Sequence, residues 1–399
     1  SGGGRCGRRG FARCVRAAPL GRRALAELPL EALAEALGGL RQAKAAWAAL
    51  REGRSPFLEA ERLGHAQAAA VLAGMDADGS LASALRPEAV EVLVPSEGSE
   101  GRPSSEGAAK FLLRLHDGLA VEAVLIPQGP SQGRNLTTTL CVSSQVGCAQ
   151  GCRFCRTASM GIVRDLSADE ILAQVVQGRR LAASLGLPAL KNVVFMGMGE
   201  PLANLLGVLP AVGALTDCQR FAISRKKVQV STVAPSPDQV RALAGLRCQL
   251  TWSLHAADGA LRQRLVPSAR FPAAELREAF REVLHGGRGV CPDRRFMVAV
   301  VLVAGVNDGP ERAWELAEFL RPLYEDAEIF LVVNLIPYND TGHPEFRRPS
   351  EESMEAFREE VNSRLPTLTV HLRRTRGAAG SAACGQLATA RVAAAAPVA

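Results

Sequence analysis

The sequence predicts an α/β protein: a partial (β/α)6 barrel preceded by a small helical domain. Three observations carry this prediction. Six apolar, β-branched runs recur from residue 137 onward, helical patterns separate them, and a polar or glycine-rich segment lies at the end of each run. Repeated strand–helix–strand order gives parallel strands joined by helical crossovers. Six units fall short of the eight that close a full barrel.

Taken in order, residues 1–26 hold seven arginines and no acidic residue. That is the composition of a mitochondrial or plastid transit peptide, and equally of a disordered leader. In 27–95 the leucines Leu28, Leu30, Leu33, Leu37 and Leu40 recur at near-helical spacing, which predicts a helical accessory domain. Residues 96–136 begin with EGSEGRPSSEGAA, a linker composition. Two strand-like runs follow, FLLRL and VEAVLI, predicting a hairpin that turns at Asp117 and Gly118. The core spans 137–390. Its strands are TTTLCVSS (137–144), NVVFMGMGE (192–200), KKVQVST (226–232), QLTWSLHA (249–256), RRFMVAVVLV (294–303) and IFLVVNLIPYN (329–339). Helical patterns include 168–185, 272–284 and 310–323, and 391–399 is an alanine-rich tail. No apolar run approaches the ~18 residues of a membrane span.

Ten cysteines in 399 residues are unevenly spaced, and three of them lie in CAQGCRFC (148–155). Clustering of this kind points to metal chemistry in a reducing compartment rather than to a secreted disulfide framework. Three thiolates from one loop can hold three irons of a [4Fe–4S] cluster, leaving the fourth iron open to a small molecule. A zinc site with a distant fourth ligand, Cys218 or His255, is the rival; the C-x3-C-x2-C spacing with Phe154 before the last cysteine favours the cluster. The net charge of +7 and pI near 9.0 allow a polyanionic partner. Basic stretches that could meet one are Arg220 with Arg225, Lys226 and Lys227; Arg347 with Arg348; and Arg373, Arg374 and Arg376.

The motifs CVSSQVGCAQGCRFC, MGMGEPLAN, STVAP, SLHA, GVNDG, VNLIPYN and AACGQL occur in this order. Together they closely resemble the RNA adenine-C2 methyltransferase family of the radical S-adenosylmethionine superfamily, over about residues 24–390. The resemblance implies a radical S-adenosylmethionine barrel with a [4Fe–4S] cluster and S-adenosylmethionine as cofactors. Its substrate would be an adenine of large-subunit ribosomal RNA and, in many members, of transfer RNA. Cys148, Cys152 and Cys155 match the cluster ligands. Gly199 and Glu200 match the binding point of the methionine amino group, and Ser231, Ser253, Leu254, His255 and Asn334 match further cofactor contacts. Cys384 matches the cysteine that carries a methyl group, Cys141 its redox partner in a disulfide, and Glu122 a proton acceptor.

By themselves several of these residues have plainer readings. Glu122 on an alternating strand is ordinarily exposed, His255 ordinarily packed, and Cys141 an ordinary strand cysteine. The chemistry explains why the set belongs together. C2 of adenine has no nucleophilic lone pair, so a radical route is needed, and the cofactor carries it. A flavodoxin- or ferredoxin-type electron donor is implied, with the chain a monomer. The compartment would be the cytoplasm, or the plastid or mitochondrion if the arginine-rich start is a transit peptide. The GEP and LIPYN forms resemble the C2 branch over its C8-methylating sister. Two readings outside this activity stay open: a radical enzyme acting on a non-RNA substrate, which gives no reason for Cys141 and Cys384 together, and an RNA-binding protein with a structural cluster. The long connection between Ile126 and Cys141, and STVAP in place of the more familiar Ser-Thr-Ser-Gly run, depart from the family pattern.

Overall fold

A computed structural model describes residues 25–62, 66–76, 79–93, 108–128, 136–286, 294–373 and 383–389. Five helices open the fold: α1 (Leu30–Ala36), α2 (Leu40–Arg51), α3 (Pro56–Arg62), α4 (Ala66–Met75) and α5 (Ser80–Ala84). Three strands come next, β1 (Val90–Leu93), β2 (Ala109–Arg114) and β3 (Ala120–Gln128), followed by β4 (Thr137–Cys141). A small antiparallel pair, β5 (Gln145–Gly147) and β6 (Ile162–Asp165), brackets the cysteine loop. The alternating part continues as α6 (Ala168–Ser184), β7 (Leu190–Phe195), α7 (Leu205–Thr216), β8 (Val228–Thr232), α8 (Pro237–Arg241) and β9 (Gln249–Ser253). It ends with α9 (Gly259–Leu265), α10 (Ala273–His285), β10 (Arg295–Leu302), α11 (Pro310–Tyr324), β11 (Phe330–Pro337), α12 (Glu351–Arg364) and β12 (Thr369–Leu372).

Ten strands form one sheet in the order β1-β2-β3-β4-β7-β8-β9-β10-β11-β12. All pairings from β4 through β12 are parallel, whereas β1–β2, β2–β3 and β3–β4 are antiparallel. The six expected strands are therefore present, and the hairpin turns where Asp117 and Gly118 place it. Two differences stand out. A seventh parallel strand, β12, joins β11; its four residues follow a helix with no long apolar run to announce them. Val90–Leu93, inside the segment expected to be helical, is a strand, because the alternating VEVL pairs with β2.

Local chemistry sets the helix that lies beneath the site. Ser167 caps α6 in a reciprocal box: its hydroxyl accepts from Glu170 N while Glu170 accepts from Ser167 N. Next to it Asp169 is buried and accepts from the backbone amides of Leu25 and Ala26, both at 2.8 Å. Those two residues, expected in the leader, are part of the folded body; residues 1–24 lie outside the described residues. Trp47 of α2 meets Phe221 edge-on at 5.9 Å, with Arg220 over its ring. The helical segment thus shares the hydrophobic core of the sheet. On the other flank Trp252, Phe280 and Phe296 pack with ring centroids 5.0–5.2 Å apart, joining β9 and β10 to α10. Each such pair adds about 1 kcal/mol beyond its buried area.

Candidate active site

The carboxyl ends of the parallel strands surround a cavity of about 170 Å³. Among its lining residues are Cys148, Cys152, Cys155, Gly199, Glu200, Ser231, Ser253, His255, Asn334 and Cys384, which are ten of the thirteen site residues expected from the sequence. Cys148 and Cys384, 236 positions apart in sequence, meet here because the loops after parallel strands all emerge on one side of the sheet.

The cysteine loop is held at its base. Cys148 N donates to Gly161 O at 2.7 Å, and Cys155 N donates to Cys152 O at 3.0 Å. Gly147, at φ +80°, sits so close to Gly161 that a Cβ would come within 1.9 Å of its carbonyl oxygen. Only glycine fits that crossing. Burial pushes the Cys148 thiol up to about 12 and raises Cys152 and Cys155 as well, with each feeling the neighbouring thiols. Three buried thiols in mutual range become thiolates when a cationic centre supplies the compensating charge. Among the described residues no three His, Cys, Asp or Glu side chains gather as ligands of one ion. Three thiolates addressing separate irons of one cluster need no such close gathering.

Glu200 is buried and accepts from Leu202 N and Val233 N, each at 2.9 Å, while its own N–H donates to Gln145 Oε1 at 2.9 Å. Burial raises its pKa against the lowering effect of these amides and of the Thr232 hydroxyl. Among the described residues it pairs with no cationic side chain, so the carboxylate can receive a cation from the cavity. Gly199, at φ +98°, lets the chain pass 2.7 Å from Gln145 N at the position a Cβ would take. Ser231 and Ser253, on neighbouring strand ends, have their hydroxyl oxygens 3.0 Å apart. The Asn334 side-chain amide faces Met297 Sδ at 2.8 Å.

His255 stands at φ +66° with its ring centroid 4.5 Å from that of Phe154. Its Nδ1 accepts from Val301 N at 3.2 Å, and burial, with Arg262 nearby, lowers its pKa to about 3. Accepting that bond requires Nδ1 to carry no proton, which suits the neutral ring. Asn307 holds it there, donating to His255 O and Val301 O and accepting from Val303 N. Leu254, by contrast, points into the core with no exposed surface, and only its backbone joins the region, through Leu254 N to Ala299 O at 3.0 Å.

The 383–389 segment lies across the mouth. Asn339 Nδ2 donates to Cys384 O at 3.0 Å, Arg156 N to Gly385 O at 2.7 Å, Gln386 Nε2 to Asp340 O at 2.8 Å, and Thr157 Oγ1 to Leu387 O at 2.5 Å. These bonds hold an exposed thiol, Cys384, over the cavity. Cys141 lies buried at the end of β4; burial raises its thiol pKa, and Cys384 raises it further. Glu122 is buried, not exposed as its strand pattern suggests, and is absent from the cavity lining. Its oxygens accept from Lys110 Nζ at 3.1 Å and Ala388 N at 3.0 Å.

Sequence reasoning assigned no role to Gln145, Thr232 or Asn307, although each lies in or beside a quoted motif. Of the basic stretches, Arg220 is turned inward to Ala26 O and Asp217, and Arg225–Lys227 precedes β8, at the end of the sheet remote from the cavity. Arg373 lines the cavity; Arg374 and Arg376 lie outside the described residues.

A crystal structure of a radical SAM methyltransferase from Sphaerobacter thermophilus superposes on this chain with a TM-score of 0.71 and 33% identity, covering 92% of this chain and 99% of that one. Fold and thiol arrangement together define the class, a radical S-adenosylmethionine methyltransferase, with a [4Fe–4S] cluster and S-adenosylmethionine as cofactors. Among curated proteins, the dual-specificity RNA methyltransferase RlmN of Syntrophobacter fumaroxidans is 41% identical over 286 residues, 71% of this chain and 77% of that protein. A probable dual-specificity RNA methyltransferase RlmN of a Picosynechococcus species is 40% identical over 289 residues, 72% and 76% of the two chains. No family model matches. The chain belongs to the RlmN family of RNA methyltransferases. No helix among the described residues is long and apolar enough to cross a membrane.

Proposed function

We propose that this chain methylates C2 of an adenine in large-subunit ribosomal RNA and in transfer RNA, through a methyl group carried on Cys384. The observation that supports this most is the placement of Cys384 on the same cavity as the three thiols of the cysteine loop. When bound, the cluster and S-adenosylmethionine supply the one-electron chemistry that removes hydrogen from an unactivated methyl group. Cys148, Cys152 and Cys155 hold the cluster. Glu200 receives the cationic amino group of the methionine part, while Ser231, Ser253 and Asn334 offer polar contacts beside it. The Cys384 sulfur takes its methyl group by displacement, as an exposed thiol at a cavity mouth is able to do. After the carbon is joined to adenine, Glu122 accepts the C2 proton. The Cys141 thiolate then attacks the thioether sulfur: the disulfide with Cys384 forms as the sulfur–carbon bond breaks, and the carbon leaves with that electron pair and takes a proton from solvent, completing the methyl group on the freed RNA.

Reopening that disulfide requires reductant. This suits a monomer working in a reducing compartment with a flavodoxin- or ferredoxin-type donor. The test is nucleoside mass spectrometry after reaction with S-adenosylmethionine bearing a deuterated methyl group. The expected product is 2-methyladenosine keeping two of the three deuteriums. Finding 8-methyladenosine would overturn the position, and three retained deuteriums would overturn the route.

A further inference from the structure

The cysteine loop carries two exposed arginines, Arg153 and Arg156, on its outer side, and the α9 region carries Arg264 and Arg270. Backbone hydrogen bonds join the two segments: Arg153 N donates to Leu265 O at 3.0 Å and Ser268 N to Gln150 O at 3.4 Å. The Ser268 hydroxyl also bonds the Gln150 side chain, and Pro267 lies beside Gly151. From 148 to 164 and from 259 to 274 there is no aspartate or glutamate. Among the described residues none of these four guanidinium groups makes an ion pair or a side-chain hydrogen bond. Most other arginines near acidic groups are paired, as in Arg164 with Glu170 or Arg281 with Asp326.

Arg153 and Arg156 flank the cavity-lining Cys152 and Cys155, and Arg264 and Arg270 stand on the segment bonded to that loop. Among the described residues these four always-charged groups have no ion pair, and they form a local positive field that the buried Glu122 carboxylate feels through Arg156. We infer that this rim seats the RNA, with phosphates flanking the target adenine bound by Arg153, Arg156, Arg264 and Arg270 while the base enters the cavity beside Cys384. The inference rests on the chain being an RNA methyltransferase and adds which face meets the substrate. Arginine suits the task because its planar fork pairs two phosphate oxygens at once. A base that leaves its stack places its neighbouring phosphates just outside the pocket, where this rim stands. Arg156 is also joined through its backbone to Gly385, so phosphate binding and the position of Cys384 share one support.

The test compares two triple variants of the cluster-loaded protein, each removing three positive charges. One is R153A/R264A/R270A at the rim; the other is R225A/K226A/K227A at the remote end of the sheet. Binding of a transfer RNA transcript and of a ribosomal RNA hairpin transcript is followed by fluorescence anisotropy over a range of salt. Iron content and circular dichroism report that each variant is folded. The rim variant is expected to bind at least about tenfold more weakly. Its slope of log affinity against log salt should fall by about two, since each phosphate contact contributes ~0.7–0.9. The remote variant should change affinity less than about twofold. An unchanged slope in the rim variant, or an equal loss in the remote one, overturns the inference. Wild-type protein that neither binds nor methylates either RNA would instead strike at the proposed function, so the two failures are distinguishable.

Discussion

The carboxylate of Glu122 accepts a hydrogen bond at 3.0 Å from the backbone amide of Ala388, a residue 266 positions further along the chain. Its other oxygen accepts from Lys110 at 3.1 Å. One side chain thereby ties the β2–β3 hairpin to the loop that carries Cys384. Glu122→Gln keeps an acceptor for Ala388 N but cannot take a proton, whereas Glu122→Ala loses both. The alanine variant should be destabilised by about 3 kcal/mol, the usual cost of breaking a buried pair, and should lose methyl uptake on Cys384. The glutamine variant should retain that uptake, measured by intact mass, and form 2-methyladenosine at least ~100-fold more slowly. If both products slow equally in the glutamine variant, Glu122 only positions the loop.

On the proposed route, Cys384→Ala should abolish methyl uptake by the protein. Cys141→Ala should leave uptake intact and stop turnover after the carbon–carbon bond forms, so that RNA stays attached to Cys384. Denaturing electrophoresis of the Cys141 variant reads this directly as a slow RNA–protein band. Free multiple turnover without such a band would remove Cys141 from the resolving role.

His255 combines a left-handed backbone with a ring nitrogen that must stay unprotonated to accept from Val301 N. With its pKa lowered to about 3 by burial, it contributes no step to an activity profile between pH 5 and 9. His255→Asn, which tolerates the left-handed region, should retain most stability. His255→Val, branched at Cβ, should lose roughly 1–3 kcal/mol, seen as a lower urea midpoint.

Asp169 gives a pH dependence of opposite sign to the usual carboxylate. Burial raises its pKa from 3.8 to about 7, outweighing the two amides of Leu25 and Ala26. The folded state holds this proton more tightly than the unfolded chain does. Its contribution is fully present below pH 4 and is lost as pH rises through 7; the span is of the order of 4 kcal/mol. The difference in unfolding free energy between wild type and Asp169→Ala should therefore be larger at pH 5 than at pH 8. A difference that grows with pH would show that the two amides hold the carboxylate charged instead.

The alternating architecture was legible because β-branched runs and helical periods survive in a single sequence, and α6, α10 and α11 fall within two residues of the expected spans. Four-residue strands such as β1 and β12 carry too few side chains for a period to register, and only their partners make them strands. The cavity residues were readable from motifs; their surroundings were not. Nothing local to VEAVLIP says that Glu122 is covered by a loop near residue 388, and an alternating strand argues for the opposite. Leu254 shows the same limit from the other side: it belongs to the motif by sequence and to the core by packing. Charge runs misled for a related reason. Arg225, Lys226 and Lys227 cluster in sequence, yet Arg153, Arg156, Arg264 and Arg270 are spread over two segments that only the fold brings together.

Among the described residues the large sheet is open, and each of its two margins is a strand of only four residues, Val90–Leu93 on one side and Thr369–Leu372 on the other. A margin is where unpaired backbone groups can template the addition of a foreign chain. Here each offers little length for such pairing. The long, apolar strands β10 and β11 are kept in the interior, paired on both sides. An incomplete barrel built this way resists edge-to-edge aggregation without having to close.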